Sequence, residues 1–116
     1  MSVCVEVEDL AAHVAERGTV AYLCTTGADG RPHTVAVALE TEPDGGAALR
    51  CDAGNRSVAN AAARPLVALL WPARDASDFS LIVDGDAAVV GEGDARRVVV
   101  TPTRAVLHRP AAATVR

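Results

Sequence analysis

Three Asp-Gly pairs, Asp29-Gly30, Asp44-Gly45 and Asp84-Gly85, punctuate a chain rich in valine, alanine and leucine. An Asp-Gly pair is a strong local signal for a tight reversal between strands, because glycine reaches positive φ and aspartate tolerates it. The flanking segments carry the matching period. From His33 to Glu40, Val35, Val37 and Leu39 fall on one face and Thr34, Ala36 and Ala38 on the other. Strict alternation of this kind belongs to a half-buried strand. The second face is small rather than charged, which lets either a flat ligand or another sheet approach the backbone.

The remaining segments extend the pattern. Asp9 to Gly18 reads as a short amphipathic helix, with Asp9 as its cap, Leu10 and Val14 at helical spacing and Gly18 as its stop. Thr19 to Thr26 is β-rich and leads into the Asp29-Gly30 turn. Pro43-Asp44-Gly45-Gly46 is a second turn, before a short strand from Ala47 to Cys51. Asn55 to Ala63 reads as a helix ended by Arg64-Pro65, and Leu66 to Trp71 as a central strand. Phe79 to Val83 and Ala87 to Val90 are expected to form a hairpin about Asp84-Gly85. Arg97 to Leu107 is the last strand, with Pro102 at a bulge or edge position. Leaving aside the short Ala47 to Cys51 segment, six strands is the working number. Hairpin-linked strands with little helix favour antiparallel closure over a parallel sheet. The predicted fold is mainly β: a six-stranded antiparallel split β-barrel with two short α-helices, in one domain spanning 1–116.

Composition narrows the function. All 11 basic residues are arginine, which removes the lysine that a Schiff base or a Walker-type phosphate loop needs. A net charge of −4 and 3% aromatic content (Trp71, Tyr22 and Phe79) argue against general nucleic-acid binding. No apolar run reaches membrane-span length and the start of the chain shows no signal pattern, so a cytoplasmic location is expected. Cys4, Cys24 and Cys51 are odd in number and far apart, as reduced thiols would be. The histidines and cysteines lack metal-ligand spacing, and no metal site is expected. Gly91-Glu92-Gly93 has Arg96 at the third glycine position of a dinucleotide fingerprint, so it reads as a loop. No Gly-x-Ser-x-Gly elbow is present.

One segment stands out. Arg50 to Asn60 sets a strand end, a flexible Gly54, the amide of Asn55, the guanidinium of Arg56 and the hydroxyl of Ser57 at the start of a helix. Free N–H groups and the helix dipole favour an anion at such a place, and an arginine can hold phosphate through two parallel bonds. Two readings are open: a phosphate grip, or Asn55 merely capping the helix while Arg56 points to solvent.

Taken with Gly18 to Leu23, Asp29 to His33, Arg64 to Trp71 and Val83-Asp84-Gly85, this segment resembles the flavin-binding split barrels of the pyridoxamine 5′-phosphate oxidase-like superfamily. The resemblance covers nearly the whole chain. It implies a homodimer with FMN, or a deazaflavin of the factor 420 type, at the subunit interface, and a flavin-dependent oxidoreductase passing hydride to or from a small organic substrate. It implies that Asn55, Arg56 and Ser57 hold the cofactor phosphate and that Thr34 and Ala36 flank the ring. In the family a basic residue commonly stands three before an asparagine. Counting back from Asn60, Ser57 takes that place here and Arg56 is displaced by one. Trp71 either stacks on the cofactor or lines the dimer seam. Full-length pyridoxamine oxidases carry further C-terminal sequence, so a substrate other than pyridoxamine phosphate is expected. No residue is singled out as catalytic, because a flavin supplies its own redox chemistry. His33 and His108 read as surface histidines, whereas Arg104 and Arg109 suit an anionic substrate, a partner subunit or solvent equally. The alternatives are a non-catalytic flavin- or haem-binding split barrel and a cofactor-free dimer.

Overall fold

The computed structural model describes residues 2–42 and 46–111. In chain order they form β1 (Ser2–Val5), α1 (Leu10–Arg17), β2 (Val20–Thr26), β3 (Pro32–Thr41), β4 (Leu49–Cys51), α2 (Asn55–Ala63), β5 (Leu66–Trp71), β6 (Ser80–Val90) and β7 (Arg97–His108). The sheet runs β1-β7-β4-β3-β2-β5-β6, and β6 pairs again with β7. All these pairings are antiparallel. Strands β2 to β7 therefore close into a six-stranded barrel with two helices, as the alternation and turn pattern predict. No helix among the described residues is long and apolar enough to cross a membrane.

The alternation of β3 survives intact: Val37 and Leu39 are buried and Thr34, Ala36 and Ala38 exposed. The inward side chains of the other strands, Leu23, Leu69, Leu81, Val83, Val98 and Val100 among them, complete the core. Cys51 also sits there, fully buried, and all three cysteines are free thiols. Asp29-Gly30 turns the chain as expected: Gly30 takes φ +83° and its N–H donates to the Gly27 carbonyl at 2.9 Å.

The structure differs from the sequence reading at four places. Asp84-Gly85 makes no hairpin; it lies inside β6, where the register against β7 slips between Asp84 and Gly85. Glycine is needed there for closeness rather than for a turn, since a Cβ would meet Val100 Cγ1 at 2.6 Å and the Thr101 carbonyl oxygen at 2.7 Å. Pro102, which has no N–H to give the ladder, stands opposite Gly85, and Thr103 Oγ1 donates to the Asp84 carbonyl at 3.2 Å. Strand β1 is the second difference: it pairs with the end of β7, Ser2 against His108 and Val5 against Ala105, and was not anticipated. Third, Asp9 makes no side-chain cap, because a 3₁₀ turn over Val7–Asp9 already leads into α1. Fourth, the N-cap of α2 is Gly54, so Asn55 is not the cap either. The turn expected at Pro43-Asp44-Gly45-Gly46 falls on residues 43–45, outside the described residues.

Candidate functional site

The barrel wall is incomplete beside α2. Strand β4 pairs with β3 only from Leu39 to Thr41, whereas β2 pairs with β3 all the way from Pro32 to Ala38. Over Pro32 to Ala38, β3 consequently has one edge without a strand. After Cys51 the chain leaves the sheet through Asp52, Ala53 and Gly54 and enters α2 opposite that edge.

Two hollows occupy the gap. An inner one of about 320 Å³ is lined by Val35, Ala36 and Val37 of β3 and by Gly54, Arg56 and Ser57 across from them. An outer one of about 430 Å³ lies under the β2–β3 turn, lined by Asp29, Arg31, His33, Arg56 and Asn60. Both volumes fall within the range of roughly 300–1,000 Å³ typical of small-molecule sites. Arg56 and His33 line both, so the hollows share a wall.

Helix α2 is held in place by polar contacts. Asn60 Nδ2 donates to Thr25 Oγ1 at 3.1 Å, and both side chains are buried. Arg64 donates to Asn60 Oδ1 at 3.3 Å and to the Thr26 carbonyl at 2.6 Å. Val58 and Ala61 add apolar burial from the same helix. This bracing aims the first turn at β3. Two of its side chains remain unengaged: Ser57 is 1% exposed yet its hydroxyl makes no hydrogen bond among the described residues, and Arg56 has neither an ion pair nor a hydrogen bond among them.

Neighbouring charges are satisfied elsewhere. Arg97 meets Glu40 at 3.2 Å and Asp52 at 3.1 Å, which takes the Asp52 carboxylate out of competition for Arg56. Burial pushes the Cys51 thiol up to about 11 despite the opposing pull of Arg97, with Asp52 adding to the rise, so it stays protonated and inert.

The residues expected from sequence divide three ways. Arg56, Ser57 and Ala36 come together at the inner hollow. Asn55 turns away; its Oδ1 accepts from Arg96 Nη2 at 3.1 Å, tying α2 to the loop before β7. Thr34 lies on the outer face of β3, its Oγ1 3.4 Å from Cys24 Sγ, and lines neither hollow. Trp71 is also elsewhere. It is buried, and its indole N–H donates to the Gly18 carbonyl at 3.0 Å, pinning the end of β5 to the end of α1. His33, which reads from sequence as a surface histidine, and Arg31, to which the sequence assigns no role, both stand at the mouth of β3, beside the Asp29-Gly30 turn. His108 meets Ser2 Oγ at 2.9 Å, Arg104 meets Asp84 at 3.8 Å, and Arg109 lies over the Phe79 ring at 5.2 Å.

Similarities to other proteins agree with this fold. A protein of Mycobacterium bovis, itself uncharacterised, is 45% identical over 102 residues, covering 79% of this chain and 72% of its own. A solved structure from Clostridium acetobutylicum, related to general stress protein 26 and described as of the pyridoxinephosphate oxidase family, superposes with TM-score 0.68 at 11% identity, covering 90% of this chain and 91% of that one. The FAD-binding protein of Mycobacterium smegmatis superposes with TM-score 0.63 at 16% identity, covering 94% and 100%. At such identities the two superpositions speak for the fold alone. The family model described as pyridoxamine 5′-phosphate oxidase matches residues 8–114. With its closed six-stranded barrel, its gap beside α2 and that match over almost its whole length, the chain belongs to the pyridoxamine 5′-phosphate oxidase family.

Proposed function

We propose that this chain binds a flavin-type cofactor in the inner hollow and acts, as a homodimer, as an oxidoreductase toward a small organic substrate. The observation that carries the reading is the first turn of α2. There an unpaired guanidinium, that of Arg56, and the Ser57 hydroxyl, which has no hydrogen bond among the described residues, line one hollow whose far wall is the unpaired edge of β3. The residues suit the group. Arg56 and Ser57, with the free N–H groups of the helix start, would hold a phosphate. The small side chain of Ala36 would let a flat ring lie close to the strand. A bound flavin supplies hydride transfer. The chain's own residues hold the phosphate, orient the ring against β3 and narrow the access of water.

The outer face of the barrel supports a second subunit. Val20, Tyr22 and Leu66 are 63%, 42% and 75% exposed on adjoining strands. Tyr22 stands opposite Ala36, so this apolar face runs up to the edge of the inner hollow. Covering it with a second copy would shield both at once. Sedimentation at increasing concentration should give twice the chain mass, and Leu66→Glu should return the monomer.

The site itself is tested by titrating the protein with FMN and a deazaflavin, read by fluorescence and by melting temperature. Arg56→Ala should weaken binding roughly tenfold to a hundredfold, the worth of one charge-assisted phosphate contact. An unchanged dissociation constant would remove Arg56 from the site. A Soret band from haem-loaded protein, with no flavin response, would favour the non-catalytic haem-binding alternative.

A further inference from the structure

The short link from β4 into α2 forms part of the wall of the inner hollow, where Asp52, Ala53 and Gly54 stand beside Arg56 and Ser57. Among the described residues no strand pairs with it, since the ladders from β3 and β7 to β4 both end at Cys51. Its other side faces a hollow of about 180 Å³, lined by Ala53, Asn55, Asp94 and Arg96 among others. A Cβ on Gly54 would meet nothing within 4 Å, and only Ala53 packs on the core. Close packing therefore does little to fix the link. Two consecutive arginines do more. Arg96 Nη2 donates to Asn55 Oδ1 at 3.1 Å, and Arg97 Nε lies 3.1 Å from Asp52 Oδ1. Successive side chains diverge on extended backbone, so one dipeptide reaches both ends of the link. The dipeptide is itself anchored: Arg96 Nε donates to the Gly93 carbonyl at 3.0 Å, and Arg97 Nη1 to Glu40 Oε2 at 3.2 Å.

We propose that Arg96 and Arg97 are positioning residues for the inner hollow, a clasp that acts through Asn55 and Asp52 to hold the first turn of α2 against β3. The inference rests on the flavin reading and adds what sets the width and charge of that site. Asn60 and Arg64 brace the far half of α2 against β2, and the clasp holds the near half. Arg97 has a second effect. The Asp52 side chain is 78% exposed and lines the same hollow as Arg56. Released from Arg97, its carboxylate would turn to Arg56 and compete with an anionic cofactor for the one guanidinium. The clasp thus keeps Arg56 available as well as in place.

Amide hydrogen exchange of the full chain, followed by NMR without any ligand, reads the clasp itself. The Val58 N–H donates to the Gly54 carbonyl at 3.0 Å and so reports on the link, whereas the Arg64 N–H, bonded to the Asn60 carbonyl at 2.8 Å, reports on the far end of α2. Arg96→Ala with Arg97→Gln should speed exchange at Val58 roughly tenfold and leave Arg64 protected. FMN titration reads the consequence. Arg97→Gln should weaken FMN roughly tenfold, the scale of a lost charge-assisted contact. Adding Asp52→Asn should recover most of that loss, which a merely structural role of Arg97 does not allow. Arg96→Ala should weaken FMN by a smaller factor and add nothing in an Arg56→Ala background, because it acts through that residue. Should Arg97→Gln fail to fold, Arg97→Lys keeps the charge without the planar fork and is read in the same way, with a smaller loss. Unchanged exchange at Val58, FMN affinity indifferent to both arginines, or a loss that Asp52→Asn leaves in place overturns the clasp, with the flavin reading still standing. Faster exchange at Val58 in the variants of a chain whose unaltered form binds no flavin overturns the flavin reading and leaves the clasp.

Discussion

Helices α1 and α2 are of nearly equal length, 8 and 9 residues, and both lie against the barrel, yet they are anchored differently. Helix α1 buries Leu10 and Val14 and no polar side chain, and it ends where Gly18 takes φ +98°. Helix α2 buries Ser57 and Asn60 beside Val58 and Ala61, and is tied to β2 through Thr25, Thr26 and Arg64. Apolar contacts are non-directional and tolerate small shifts, whereas hydrogen bonds fix orientation within a few tenths of an ångström. The difference separates a helix that contributes stability from one that positions side chains. The first turn of α2 can present Arg56 and Ser57 to a ligand because the second half of the helix is held by directional bonds.

Substitutions should pull these roles apart. Leu10→Ala leaves a cavity under α1 and should cost about 2–5 kcal/mol in urea denaturation, with cofactor affinity of the folded protein unchanged. A loss of affinity as large as that from Arg56→Ala would show that α1 also shapes the site. The lead-in to α2 gives the next effect. The Cys51 thiol titrates near 11 in the fold, against an ordinary value of 9.0. The native state therefore keeps this proton to higher pH than the unfolded chain. The stabilisation is complete below about pH 9 and is lost as pH rises toward about 11, up to about 2–3 kcal/mol. Denaturation curves at pH 8 and pH 11, with Cys51→Ala as the flat control, read it directly.

Asn60→Ala should cost about 1–3 kcal/mol, because it strands the buried Thr25 hydroxyl and frees Arg64. Unlike Leu10→Ala it should also weaken cofactor binding, since the first turn of α2 loses its bracing. An effect on stability alone would erase the distinction between the helices. The smallest change in stability should come from Arg56→Ala, within about 0.5 kcal/mol, whereas its expected effect on cofactor binding is the largest of the set.

Identical dipeptides mark how far local reading reaches. Asp29-Gly30 and Asp84-Gly85 carry the same signal, and only the first turns the chain. Gly30 uses its positive φ. Gly85 uses its missing Cβ, a requirement imposed by Val100 and Thr101 some fifteen residues further along the chain. The two segments either side of Asp84 looked like separate strands because nothing nearby in sequence reveals that β7 is long enough to pair with both. Strand β1 was legible in part: Val3, Val5 and Val7 alternate with Cys4, Glu6 and Glu8. Its partner lies a hundred residues away, at the end of β7.

The sequence alone determined strands β2, β3, β5 and β7, the Asp29-Gly30 reversal, the extent of α2 and the nomination of Arg56, Ser57 and Ala36. Each of these follows from side-chain period, turn chemistry or helix-end chemistry within a few neighbouring residues. Tertiary structure decided the rest: that Trp71 braces α1, that Asn55 is taken by Arg96, and that His33 and Arg31 join Arg56 around a second hollow. Those outcomes depend on which edge of β3 stays without a strand and on what closes over it, and long-range pairing leaves no local trace in the residues it brings together.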